Sequence, residues 1–176
     1  MMTPKRAELL KFSLTDAQEA AGGRFNCGPG ALCAVCGLTP DEALSHLVGF
    51  DDKHYTNPIM MAGALRSLGI SFTKLYQANE PGNAPIYPDY GLVRVQWGGP
   101  WTRPGVPMRV RCRHTHWVGW AAEDSMVFDI NAMCVGGWIA EKEWREQLIP
   151  WLIKEVAPKA SGEWWPTHCW EIQRGR

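Results

Sequence analysis

Helix-start and helix-stop signals crowd the first half of this chain, whereas extended, β-branched and aromatic stretches crowd the second. That segregation predicts an α+β domain, a helical half packed on an antiparallel β-sheet, and argues against alternating βαβ units. In the helical half, a first helix is expected over residues 15–21, closed by Gly22 and Gly23. A second is expected from Cys27 to Cys36, stopping at Gly37, because glycine enters the left-handed conformation that ends a helix without steric cost. Thr39 followed by Pro40, Asp41 and Glu42 is a capped start with acidic residues in the first turn, leading into 43–48. Asn57 and Pro58 repeat that signal for a helix ending at Gly69.

The other half reads as strands over 70–77 and 91–97, separated by a loop rich in Pro, Gly and Asn and followed by a second such loop over 98–107. From Met108 the residues alternate. Met108, Val110, Cys112, His114 and His116 would share one strand face, with Arg109, Arg111 and Arg113 on the other, solvated one. Glu123, Asp124 and Ser125 form a turn, and 126–130 returns as the next strand. After Gly136 and Gly137, the residues Ala140, Trp144, Leu148, Trp151 and Leu152 recur at helical spacing, with Pro150 kinking or splitting the helix. Residues 164–173 supply a last strand. All ten tryptophans lie between Trp97 and Trp170, where packing accounts for most of them and an aromatic-walled groove is the alternative.

At 176 residues, 45% of them apolar and 20% charged, the chain suits a single domain over 1–176 with one core. Its formal net charge of zero supplies no long-range field toward nucleic acid or anionic lipid, so neither is an expected partner. Lys5, Arg6 and Glu8 interrupt the opening apolar stretch, which is therefore not read as a secretory signal, and no run of about 18 apolar residues marks a membrane span. The expected setting is cytoplasmic, with the six cysteines as reduced thiols; their even number leaves a secreted, disulfide-linked reading open.

Chemistry concentrates at Cys27, which stands where a loop enters a helix of small residues. A thiol at a helix N-terminus feels the positive end of the peptide dipoles, which favours thiolate, and the unpaired N–H groups there can hold an oxyanion. The segment Asn26-Cys27-Gly28-Pro29-Gly30-Ala31-Leu32 resembles the nucleophile segment of papain-like cysteine peptidases, above all the double-glycine peptidase domains that process bacteriocin leader peptides. His116-Trp117-Val118-Gly119 is similar to their histidine at the head of a strand, and Phe128-Asp129-Ile130-Asn131 to the acidic residue closing the next one.

The resemblance covers residues 18–48 and 112–152 and implies a papain-like fold. It also implies a cysteine hydrolase (a peptidase, isopeptidase or amidase) with Cys27 as nucleophile, His116 as acid/base and Asp129 orienting the imidazole. Such an enzyme forms a thioester on a peptide or protein substrate and needs no metal or other cofactor; resolution by an amine would make it an acyltransferase. A small bacterial or phage-borne protein fits that picture. The chain departs from the pattern at the position six before Cys27, where such enzymes carry a glutamine and this one has Ala21. Gln18 and Asn26 are the candidates to complete the oxyanion hole.

The hairpin can be read without the resemblance. If Glu123 and Asp124 form a two-residue turn, Ala122 faces Ser125, so His116 faces Asn131 and Val118 faces Asp129. Direct partners have Cβ atoms about 4.5–5.5 Å apart and diagonal ones about 7–8 Å. Pairing therefore leans toward Asn131 as the orienter and the resemblance toward Asp129, which stabilises imidazolium better; Asn131 stays as the substitute. A three-residue turn without a bulge would put both on the wrong face.

Two other readings use the same residues. Cys33-x-x-Cys36 has a ligand spacing, and Cys112, His114 and His116 on one strand face would offer a zinc site. Alternatively the fold serves a non-catalytic adaptor, a reading favoured by the missing glutamine. His46, His54 and His168 read as ordinary histidines, the arginine strip as a solvated face, and the turn at 55–58 with Trp117 and Trp138 as capping and packing or as cleft wall.

Overall fold

The computed structural model describes residues 26–78, 84–132 and 135–173. The helix expected over 15–21, Gln18, Ala21 and Cys134 lie outside these residues.

Local chemistry sets the helix bounds. Helix α1 (Cys27–Cys36) starts at Asn26, whose side chain accepts from the Gly28 N–H, and ends at Gly37 with φ 69°. Helix α2 (Pro40–His46) carries a reciprocal capping box between Thr39 and Glu42, and stops at His46 instead of Val48. A single turn, α3 (Phe50–Lys53), follows. Helix α4 (Pro58–Ser67) is capped by the Asn57 side chain, which accepts from Met60.

Among the described residues, six strands form one antiparallel sheet in the order β1-β6-β2-β3-β4-β5. They are β1 (Phe72–Gln77), β2 (Tyr90–Trp97), β3 (Thr115–Ala121), β4 (Met126–Phe128), β5 (Trp138–Ala140) and β6 (Trp164–Ile172). The last strand in the chain thus inserts between β1 and β2 and carries Pro166 into the sheet interior. The register slips there, Arg94 pairing with His168 but Val95 with Pro166, and this irregularity accommodates a residue that has no N–H to give.

Each face of the sheet has its own core. Leu92, Trp117, Phe128 and Trp170 lie under the helical layer, against Leu32, Met61 and Leu65. Val93, Val118, Trp120, Val127 and Cys169 face a helix spanning 141–156, α6, through Trp144, Ile149 and Leu152. The α+β expectation holds, with helices on both faces. No helix among the described residues is long and apolar enough to cross a membrane.

Two expectations are corrected. The alternation from Met108 is not a strand: Met108–Arg111 forms a short helical turn, α5, His114 adopts a left-handed φ of 45°, and β3 begins only at Thr115. Alternation encodes a strand only where a neighbour can pair with it, and the β2–β3 ladder ends at Gln96 opposite Thr115. The arginines therefore do not form a strand face; Arg111 instead donates from Nε to the Val106 carbonyl at 2.9 Å.

Helix α6 absorbs Pro150 by widening before it. Residues Trp144–Leu148 form a π-turn in which the Ile149 N–H reaches back to the Trp144 carbonyl, so the proline follows a turn that is already loosened. The extra residue rotates the apolar face. Ile149, Leu152 and Ile153 are buried after Trp144, while the predicted Trp151 is 50% exposed.

Glycine at 119 is what lets α1 lie close on β3. A Cβ there would stand 2.9 Å from Val35 Cγ2 and 3.0 Å from Phe128 Cβ. Gly119→Ala should destabilise the protein by about 1–3 kcal/mol, the usual range for overpacking, read as a lower urea midpoint at unchanged slope.

Candidate active site

The N-terminus of α1 is pinned to β3 through the segment between α3 and α4. Asn26 Nδ2 donates to the His54 carbonyl at 2.9 Å, and Trp117 Nε1 donates to the Thr56 carbonyl at 2.9 Å. Gly28 completes the junction, since a Cβ there would fall 2.2 Å from Thr56 Oγ1. Trp117, at 2% exposure, packs here and does not wall a cleft. The β3–β4 ladder ends at Gly119 opposite Phe128, so β4 does not cover the edge of β3 at Trp117. The Trp117 backbone N–H lies on that side toward Cys27 and favours its thiolate.

His116 points to the opposite sheet face from Trp117, the successive residues of a strand alternating in direction. Its ring stacks near that of Trp97, with centroids 5.9 Å apart and planes 21° off parallel. From there it interacts with the Cys27 side chain, which favours its charged form. Nε2 is taken by Asp129, donating to Oδ2 at 2.8 Å, which leaves Nδ1 for the sulfur. His116 and Asp129 are buried at 4% and 0% exposure, and Cys27 is partly exposed as a residue although burial dominates at its thiol.

The choice between Asp129 and Asn131 is decided by where β4 stops. The turn register is the one expected, Ala121 opposite Met126 and Trp120 opposite Val127. Beyond Phe128, however, the chain leaves the ladder: the Asp129 N–H donates to the Gly137 carbonyl, and Ala132 N–H to the Asp129 carbonyl. This turn aims Asn131 at Asp129. Its backbone N–H and Nδ2 both donate to Oδ1, at 2.9 and 3.0 Å. Trp144 Nε1 donates to Oδ2 at 2.8 Å. Asn131 is thus the support of the orienting carboxylate, not its substitute. Trp144 was legible only as a core residue of its helix, although a buried indole N–H usually takes an acceptor.

Electrostatics follow from these contacts. Burial pushes the Cys27 thiol up, but the His116 charge and hydrogen bond, with the Trp117 N–H, outweigh it and hold the thiol below its ordinary 9.0. Burial opposes charge on His116 too, yet Asp129 and Cys27 raise it well above 6.5. Asp129 is raised by burial and brought below 3.8 by His116, Asn131 and Trp144. Each shift favours the charged form, thiolate at Cys27, imidazolium at His116 and carboxylate at Asp129. Burial does the opposite to uncompensated thiols, pushing Cys36 and Cys169 up to about 12.

The zinc reading loses its geometry. Cys112 is exposed, and His114 packs at a tilt on Trp101, ring centroids 4.1 Å apart, ahead of β3, so neither shares a strand face with His116. Cys33 lies in the core with its thiol donating to the Thr39 carbonyl at 3.5 Å. Among the described residues, no group of three His, Cys, Asp or Glu side chains is placed to hold a metal. No family model, no curated protein and no solved structure matches this chain.

Trp144→Phe removes one donor from a buried carboxylate and should cost about 1.5–3 kcal/mol at neutral pH. Because Asp129 titrates below its ordinary 3.8 in the folded chain, its contribution is present above that value and lost as pH falls through the lowered one. The difference between the two proteins in urea unfolding should therefore shrink in acid.

Proposed function

We propose that this protein is a papain-like cysteine hydrolase acting on a peptide, isopeptide or amide carbonyl. The observation that carries the reading is the line of interactions from Cys27, at the N-terminus of its helix, through His116 to Asp129. Its setting is taken to be the cytoplasm, and its substrate a peptide or protein.

In this mechanism the Cys27 thiolate attacks the carbonyl carbon, and the C=O electron pair moves onto oxygen. The backbone N–H of Cys27, first in its helix and so without an acceptor inside it, is placed to hold that oxyanion. Asn26 is its neighbour, with one amide hydrogen committed to His54 and the other available. As the intermediate collapses, His116 gives its proton to the leaving nitrogen and the C–N bond breaks, leaving a thioester. Water, losing its proton to His116, then attacks the thioester; the C–S bond breaks and the ion pair is restored. An amine in place of water gives acyl transfer from the same thioester.

Alkylation with iodoacetamide tests the reading. Cys27 should label far faster than the other thiols, with a half-maximal rate at a pH below 9.0. His116→Ala should slow that labelling by about 10²-fold or more, the usual scale of acid–base assistance. Equal labelling of all six cysteines would favour the adaptor, and stoichiometric zinc on elemental analysis the metal site.

A further inference from the structure

Among the described residues, Arg94 is a buried cation with no carboxylate paired to it. It stands on β2 directly opposite Trp117 on one side and His168 on the other, and is 6% exposed. Nη2 donates to Thr115 Oγ1 at 2.9 Å and Nη1 to Thr167 Oγ1 at 3.4 Å, while Nε is buried with no acceptor. Burial lowers the basicity of the guanidinium, opposed only in part by the sulfurs of Cys112 and Cys27. His168 is held down to about 4 by burial and by the Arg94 and Lys74 charges, so it is neutral and brings no counter-charge.

Desolvating a guanidinium against two hydroxyls and a thiol is costly, and a fold that needed only packing here would be served by an apolar residue. The position is specific. Arg94 bonds Thr115, the residue before His116, and faces Trp117, the residue after it, whose N–H favours the Cys27 thiolate. Its planar fork of donors matches a carboxylate bidentately, which an ammonium does not.

We propose that Arg94 is a substrate-binding residue that reads a carboxylate adjoining the scissile bond. The inference rests on Cys27 being the nucleophile and names the substrate class for that site: an acyl compound bearing an acidic side chain or a chain-terminal carboxylate.

The test compares two alkylating agents at Cys27, anionic iodoacetate and neutral iodoacetamide. In Arg94→Gln the iodoacetate-to-iodoacetamide rate ratio should fall about tenfold, and in Arg94→Lys by less, because charge survives without the fork. An unchanged ratio overturns the proposal, including the case in which both rates drop together. The ratio remains meaningful even if Cys27 labels no faster than other thiols, an outcome that would sink the nucleophile reading alone. Should the variants not fold, protection of the unmodified protein against iodoacetamide decides. N-acetylglutamate α-amide offers a side-chain carboxylate, N-acetylglutamine an α-carboxylate, and N-acetylglutamine amide none. Protection by one or both acids and not by the neutral diamide supports the subsite and identifies the source; equal protection by all three, or by none, overturns it.

Discussion

The carboxylate of Asp129, wholly buried and accepting four hydrogen bonds, is the constraint around which the rest of the site is arranged. A buried carboxylate is tolerated only when donors replace the water it has lost. Here they come from the sheet through His116, from the turn after β4 through Asn131, and from helix α6 through Trp144. One anion therefore ties together three pieces of chain that have little else in common. It also leaves the imidazole no freedom, since Nε2 is committed and Nδ1 alone can face the sulfur.

The sulfur and the imidazole arrive from opposite faces of the sheet. Helix α1 lies with the core that includes Leu92 and Trp117, whereas His116 is on the side of Val118 and Trp120. They meet because β4 is short: its ladder ends at Phe128, the edge of β3 at Trp117 is left uncovered by it, and a helix held close by Gly28, Gly30 and Gly119 reaches that edge. A longer β4 would pair with Trp117 and close the gap. The same early ending sends the chain into the turn that brings Asn131 under Asp129.

The two buried charges near this edge are treated differently by the fold. Asp129 is fully supplied with donors, and its ionisation is stabilised from within the protein. Arg94 has hydroxyl and thiol partners and an idle Nε, so its charge is less completely compensated among the described residues. That asymmetry separates a group that positions others from one held ready for a ligand. The arginine cage elsewhere shows what a self-contained site looks like: Arg145 lies over Tyr87, Trp120 and Trp164 and is paired with Glu141 at 2.7 Å.

What the sequence determined by itself was whatever a few neighbouring residues decide. Asn26, Thr39, Asn57 and Gly37 cap or end helices because their side chains, or the lack of one, act within a single turn, and the register of the β3–β4 turn followed from its own residues. The helix-entry placement of Cys27 was legible in the same way, whereas His116 and Asp129 were singled out by the resemblance to papain-like peptidases. Only the tertiary structure could choose Asp129 over Asn131, recruit Trp144, deny a strand to Met108–Arg111, shift the phase of α6 and leave Arg94 without a carboxylate. Each of those outcomes depends on which distant group supplies the missing donor, acceptor or neighbouring strand, and hydrogen-bond satisfaction in a water-free interior is settled across the whole fold, not along the chain.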